Sequence, residues 1–186
     1  DANYLLTLVE NATTTTYRRF DLIAKNGVRS PEALSYGGGA FSAILRSIAK
    51  LADGTFLVSR TNAISKFDSS YALSSSAFIS APAGLCATSI TLMSDMIELS
   101  SGKLLFSHAA ATPNNKIGMV SAAGSSCLTA VAGPVTTAMP TDMLLHSSGK
   151  VLVSYGSTTA GSNMIYSYTV DQSANTLTGV QAYANS

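Results

Sequence analysis

Short apolar runs separated by turn residues fill this chain, and they recur in a fixed order. Residues 48–51 carry apolar side chains at alternate positions and then meet Asp53-Gly54, a hairpin signal. Residues 56–59 leave that turn as a second strand, and Thr61-Asn62 breaks it. Ile64-Ser65-Lys66-Phe67 alternates apolar with polar, which predicts a third strand with one wet face. Asp68-Ser69-Ser70 turns the chain again, and residues 77–79 make a fourth strand. The same sequence of runs returns at 96–97, 104–106, 117–120 and 128–131, and once more at 143–145, 151–153, 164–166 and 177–180.

A recurring phrase marks each round. It reads SIAKLADGTFLVS from Ser47, DMIELSSGKLLFS from Asp95 and DMLLHSSGKVLVS from Asp142. Gly54, Gly102 and Gly149 hold the same place in it, 48 and 47 residues apart, and each is expected in a tight turn where positive φ is easiest for glycine. Self-similarity at that period predicts a repeat architecture, and four antiparallel strands per repeat is the blade plan of a β-propeller. A partial unit comes first. Tyr4-Leu5-Leu6 matches a second strand, and Tyr17-Arg18-Arg19-Phe20-Asp21 matches a third. The expected fold is therefore all-β, with three full blades plus one lacking its inner strand, over units of about 1–40, 41–82, 83–133 and 134–186. Either the chain makes a small ring with a borrowed strand, or it is one arc of a larger ring, as a trimmed or fragmentary chain would be.

One segment obeys a different period. Phe41, Ile44, Leu45, Ile48 and Leu51 fall at helical spacing, but the aligned positions around Met96 and Met143 do not, which favours a strand from Ile48. Gly37-Gly38-Gly39 reads as a connector, since the lysine and hydroxyl residue that complete a phosphate loop are missing. An antiparallel sandwich is the rival fold, and it has no need of a repeated phrase.

The segment from Leu51 to Ser59, followed by Asn62-Ala63-Ile64-Ser65-Lys66-Phe67-Asp68, resembles the NHL-type propeller blade. That blade runs from an Asp-Gly turn through an apolar strand to a strand of the form N-x-I-x-x-F-D. The other units share only the Ser-Gly-Lys turn and the apolar strands. The resemblance implies architecture; the family includes binding scaffolds, lyases and lactonase-like enzymes. The metal-binding residues of its enzymatic members have no counterparts here, so it implies no catalytic role.

Composition sets the surroundings. The 186 residues suffice for one domain with a real core. Only 11% are charged, against ~25% in typical soluble domains, while 28 Ser and 19 Thr supply a hydroxyl-rich surface. With a net charge of +1, self-repulsion is small and association is favoured. The basic residues form no stripe, which argues against nucleic acid. No apolar stretch is long enough for a transmembrane helix, and no signal peptide stands at the start. Cys86 and Cys127 suit either a disulfide of a secreted chain or two buried thiols. In the blade scheme they lie toward opposite rims, which leaves the bond geometrically open. Asn11-Ala12-Thr13 matches a glycosylation sequon.

Candidate chemistry is sparse. His108 and His146 are the only histidines, and no Ser-His-Asp order is legible around them, so structural histidines are expected. Asp95 and Asp142 occupy matching positions at the entry to inner strands. They either cap turns, the favoured reading, or point into a central channel where a cation or sugar would bind. Tyr155, Tyr166 and Tyr168 form a local aromatic trio, a modest basis for glycan binding. No catalytic set, metal site or cofactor motif is legible. The expectation is a non-catalytic extracellular or cell-envelope structural or adhesive module. Another chain or a second copy would complete its first blade. The competing expectation is a hydrolase or lyase at the propeller channel, which requires Asp95, Asp142 and a histidine to converge.

Overall fold

A computed structural model describes residues 4–10, 18–24, 47–60, 63–70, 72–80, 86, 93–108, 116–134, 138–156 and 163–184. Among them there is no helix, and fourteen strands form four antiparallel sheets. The first sheet pairs β1 (Tyr4–Glu10) with β2 (Arg18–Ala24). The second runs in the order β3 (Ile48–Lys50), β4 (Phe56–Arg60), β5 (Ala63–Phe67) and β6 (Leu73–Ser80). The third contains β7 (Met93–Glu98), β8 (Leu104–His108), β9 (Lys116–Val120) and β10 (Cys127–Ala132), and the fourth β11 (Met139–Leu145), β12 (Val151–Gly156), β13 (Met164–Asp171) and β14 (Thr176–Ala184). Each four-stranded sheet is a simple meander in which sequence neighbours pair. The segment with mixed periodicity enters as strand β3 from Ile48; its earlier residues, like Asn11 and the triple glycine, lie outside the described residues.

The turn after each first strand explains the marker glycines. Gly54, Gly102 and Gly149 have φ of 84°, 76° and 79°. Each donates its N–H three residues back, to the carbonyls of Leu51, Leu99 and His146, at 2.8–3.0 Å, and the same three residues donate their own N–H groups to the carbonyls of Thr55, Lys103 and Lys150. This is the three-residue hairpin loop that ends in a left-handed residue, not the two-residue loop suggested by Asp-Gly.

The second, third and fourth sheets stack face to face with a buried cluster in each gap between them, and Phe56, Val58 and Phe67 are buried on the other face of the second sheet. Between the second and third sheets, Leu57, Ile64 and Ile79 meet Met96, Leu104, Phe106 and Val120. Between the third and fourth, Leu105, Ile117 and Met119 meet Met143, Val151, Val153 and Tyr155. The third sheet is thus covered on both faces, which is why β8 is apolar at consecutive positions and wholly buried. The first strands are neighbours across the gaps, β3 beside β7 and β7 beside β11. Polar ties reinforce the gaps at the turns. Ala52 N–H donates to Glu98 Oε2 at 2.6 Å, and Lys103 Nζ donates to Asn175 Oδ1 at 2.8 Å and to the Gln172 carbonyl.

Inside the third sheet a glycine makes room for an aromatic. Gly118 pairs directly with Phe106, and a Cβ there would lie 2.5 Å from Phe106 Cζ. The ring lies over the glycine backbone, so its bulk fits within one sheet spacing.

Cys86 and Cys127 form a disulfide with Cα atoms 5.1 Å apart. Opposite rims are no obstacle, because Cys86 lies six residues beyond the end of β6. Six residues reach up to ~20 Å, about the length of a six-residue strand, which is enough to span between the rims. Cys86 reaches the β9–β10 pair with its Sγ 3.4 Å from the Thr129 carbonyl, and it holds a left-handed φ of 61°.

Candidate functional site

The first and last residues of the repeated phrase meet in space. Ser47, Asp95 and Asp142 open it; Ser59, Ser107 and Ser154 close it, one strand away. In the second sheet Ser47 N–H donates to Ser59 Oγ at 2.8 Å, and in the third Asp95 N–H donates to Ser107 Oγ at 3.0 Å. Ser59 and Ser107 are fully buried. Each accepts a main-chain donor that the sheet ladder does not use, and the ladder is irregular between Met93 and Asp95 and again between Pro140 and Asp142.

From this base a polar ladder crosses the sheets. Ser47 Oγ–H donates to Asp95 Oδ1 at 2.6 Å, and Met143 N–H of the next sheet donates to Asp95 Oδ2 at 2.8 Å. Met96 N–H also donates to Asp95 Oδ1, at 2.8 Å. Asp95 thereby links three sheets with one carboxyl group. Its acidity is weakened: burial pushes the pKa above the ordinary carboxylate value, and a hydrogen bond with the Asp142 side chain pushes the same way, against the lowering effect of the three donors. Asp142 is exposed and accepts Met143 N–H on Oδ1 at 3.0 Å.

The turn-capping reading of these two aspartates is corrected here. Both lie inside strands, and the turns are capped by other aspartates. Asp53 accepts from Thr55, Asp68 from Ser70 and Ala72, and Asp171 from Ser173 and Ala174. Nor do the histidines join the acids. His108 ends β8 and is fully buried, opposite Met93 and Lys116 in the ladder. His146 is exposed in the hairpin loop, with Nδ1 2.8 Å from Ser148 Oγ. Among the described residues no group of three His, Cys, Asp or Glu side chains is placed to hold a metal ion.

The tyrosine trio is largely interior. Tyr155 and Tyr168 are buried, with hydroxyl oxygens 2.7 Å apart, and burial raises both phenol pKa values. Tyr166 meets Tyr155 edge-on at 5.9 Å. Two of the three rings are thus withdrawn from solvent, and Tyr166 is partly exposed. A shallow depression of about 500 Å³ does open at the ends of the first strands, between Lys50, Leu51, Met96, Glu98 and Leu145.

Sequence reasoning missed Ser59, Ser107 and Ser154 as working residues. Their signal was present, a hydroxyl closing every copy of an otherwise apolar strand.

Comparison with known proteins bears on the fold. No protein-family model matches the chain. No curated protein matches it either. Solved structures do resemble it. One is the extracellular domain of a candidate hybrid two component system from B. thetaiotaomicron, with a TM-score of 0.55 and 11% identity over 95% of this chain. The chain spans only 22% of that domain's length. Another is a protein of unknown function from Bacteroides caccae, with a TM-score of 0.44 and 14% identity, covering 97% of this chain and 73% of the other. Among the described residues no helix is long and apolar enough to cross a membrane.

Proposed function

We propose that this chain is a non-catalytic structural or adhesive module of the extracellular space or cell envelope, built from NHL-like β-propeller blades and completed by another chain or copy. The observation that carries the reading is the stacking of successive repeat sheets through their first strands, tied by Ser47 and Asp95. That is how blades are arranged around a channel. The Cys86–Cys127 disulfide supports an oxidising compartment. The extracellular origin of one fold neighbour agrees with that placement.

A hydrolase or lyase is the second reading, and one observation favours it: Asp95 and Asp142 share a hydrogen bond, and Asp95 has a raised pKa, as paired catalytic acids do. The geometry weighs against it, because both oxygens of Asp95 are occupied by donors that hold the sheets.

The test is to label intact source cells with an antibody to the chain and to alkylate the labelled protein without reduction. Surface labelling with both cysteines protected is expected. A protein confined to the cytosol with two free thiols would overturn the placement. Turnover of a glycan or ester substrate that Asp142→Asn abolishes with the fold intact would restore the enzyme.

A further inference from the structure

Two carboxyl groups from neighbouring sheets converge on one hydrogen. Met143 is buried in β11, and its N–H reaches Asp95 Oδ2 at 2.8 Å and Asp142 Oδ1 at 3.0 Å. Acceptors that share a hydrogen stand side by side, and the Asp95 and Asp142 side chains are within hydrogen-bond reach of each other. Two ionised carboxylates have no donor between them, so a bond there requires that one of them carry a proton. Without it, two like charges face each other.

The surroundings decide which residue holds the proton. Asp95 is half-buried, while Asp142 is exposed. Water stabilises the charge of an exposed carboxylate, and burial works against the charge on Asp95. Asp95 Oδ1 already takes Ser47 Oγ–H at 2.6 Å and Met96 N–H at 2.8 Å, whereas Oδ2 takes only Met143 N–H. A proton on Oδ2 leaves those three bonds in place, because a carboxylic acid keeps acceptor capacity. It also gives Asp142 a donor.

The charged groups on the other strands packed against β7 do not take over this role. Lys50 ends β3, three residues beyond Ser47, and lines the depression with Glu98 of β7 itself. Arg60 ends β4, next to Ser59. His108 ends β8, and side chains alternate along a strand, so it leaves the face that Ser107 occupies. Asp142 comes from β11. Among the described residues, the groups that act on the Asp95 carboxyl are its three donors and Asp142, with no cation among them.

We propose that Asp95 and Asp142 share a single proton and form an acid-tightened joint between the third and fourth sheets. With the proton in place, an O–H···O bond ties the sheets beside the Met143 bond. When it leaves to solvent, two carboxylates repel across the same gap. The folded pair holds its proton to higher pH than an unfolded carboxyl does. The tie is therefore complete below the unfolded value of about 3.9 and is lost as pH rises through the folded value. The weakened acidity of Asp95 then follows from a joint between sheets, with no substrate needed to explain it.

Carbon-13 titration of the aspartate carboxyl carbons in the intact chain tests this. The Asp95 carbon should change with a midpoint above about 3.9, and the Asp142 carbon should show a step at the same pH. Asp142→Asn keeps the size of the side chain and supplies a permanent donor, so the Asp95 midpoint should fall in that variant. A midpoint that stays where it was would mean that burial alone raises it, and would overturn the proposal. Two carbons that titrate independently in the unaltered chain would overturn it as well. Thermal melts give a second readout. Asp142→Asn should melt roughly 2–4 °C above the unaltered chain near pH ~7, where it removes the repulsion, and level with it near pH ~3, where the proton is in place. A variant that melts below the unaltered chain at every pH sinks the idea of a shared proton.

Discussion

Replacing Asp95 with alanine should cost the fold far more than replacing Asp142, although the two residues hold the same place in the repeat. Asp95 accepts three donors. The Ser47 hydroxyl can rotate to another acceptor and the Met143 N–H keeps Asp142 Oδ1, but the Met96 N–H is fixed by its strand. Stranding that donor costs ~1–3 kcal/mol; losing the two bonds to neighbouring sheets adds to this and releasing a partly buried carboxyl from its desolvation returns some, so the net loss is about 1–3 kcal/mol. For a domain of this size each kcal/mol moves the midpoint by roughly 2–4 °C, so thermal unfolding should shift down by about 2–12 °C. Asp142→Ala removes an acceptor in an exposed place, where water replaces it, and should cost under ~1 kcal/mol. Circular dichroism melts at several pH values would measure both. The pH dependence has a definite sign. Burial raises the folded pKa of Asp95 above its unfolded value, so its contribution is fully present below the unfolded pKa of about 3.9 and lost as pH rises through the folded value. The gap between the native chain and Asp95→Ala should therefore widen as the pH falls through that window. Equal losses from the two variants, or a gap that shrinks in acid, would refute the ladder as the tie between sheets.

Two further outcomes follow from the geometry. Removing the disulfide with Cys86→Ala and Cys127→Ala opens a loop closed over 41 residues and should lower the denaturant midpoint by the equivalent of about 2–4 kcal/mol; a change below ~1 kcal/mol would mean that the bond constrains little. Gly118→Ala and Gly149→Ala should both destabilise, for different reasons that rescue experiments separate. The first forces a Cβ into Phe106 and costs ~1–3 kcal/mol, partly recovered by Phe106→Leu. The second meets no atom within 4 Å but strains a left-handed residue, so Gly149→Asn should recover most of the loss and Phe106→Leu none.

Local signals carried much of the fold, because hairpins depend on local chemistry. The apolar runs and the glycine turns are decided within about a dozen residues, and the strands lie where those runs fall. Relations between sheets were harder to read. The sequence aligns Asp95 with Asp142, but what each touches depends on whether another sheet stands beyond it. In the same way Leu105 and Leu152 are equivalent in the phrase, yet one is fully buried and the other only partly. The disulfide was ambiguous for a related reason, since the path of the connection before Cys86 has no periodicity to reveal it.

The serine that closes each phrase shows why a polar residue belongs between apolar sheets. In the second and third sheets, a main-chain donor on the first strand falls outside the ladder and is buried by the next sheet. Without Ser59 or Ser107 that donor would be stranded, at a cost comparable to one hydrogen bond's full desolvation. The fourth sheet provides a natural control. There Ser154 is only partly buried, and its Oγ lies 2.8 Å from Thr141 Oγ1 while donating over 3.5 Å to the Asp142 carbonyl. The hydroxyl keeps its place in the sequence but changes partners where no further sheet covers it. A serine tuned only to its own hairpin would make the same bonds in all three sheets. The difference ties the repeated hydroxyl to sheet stacking.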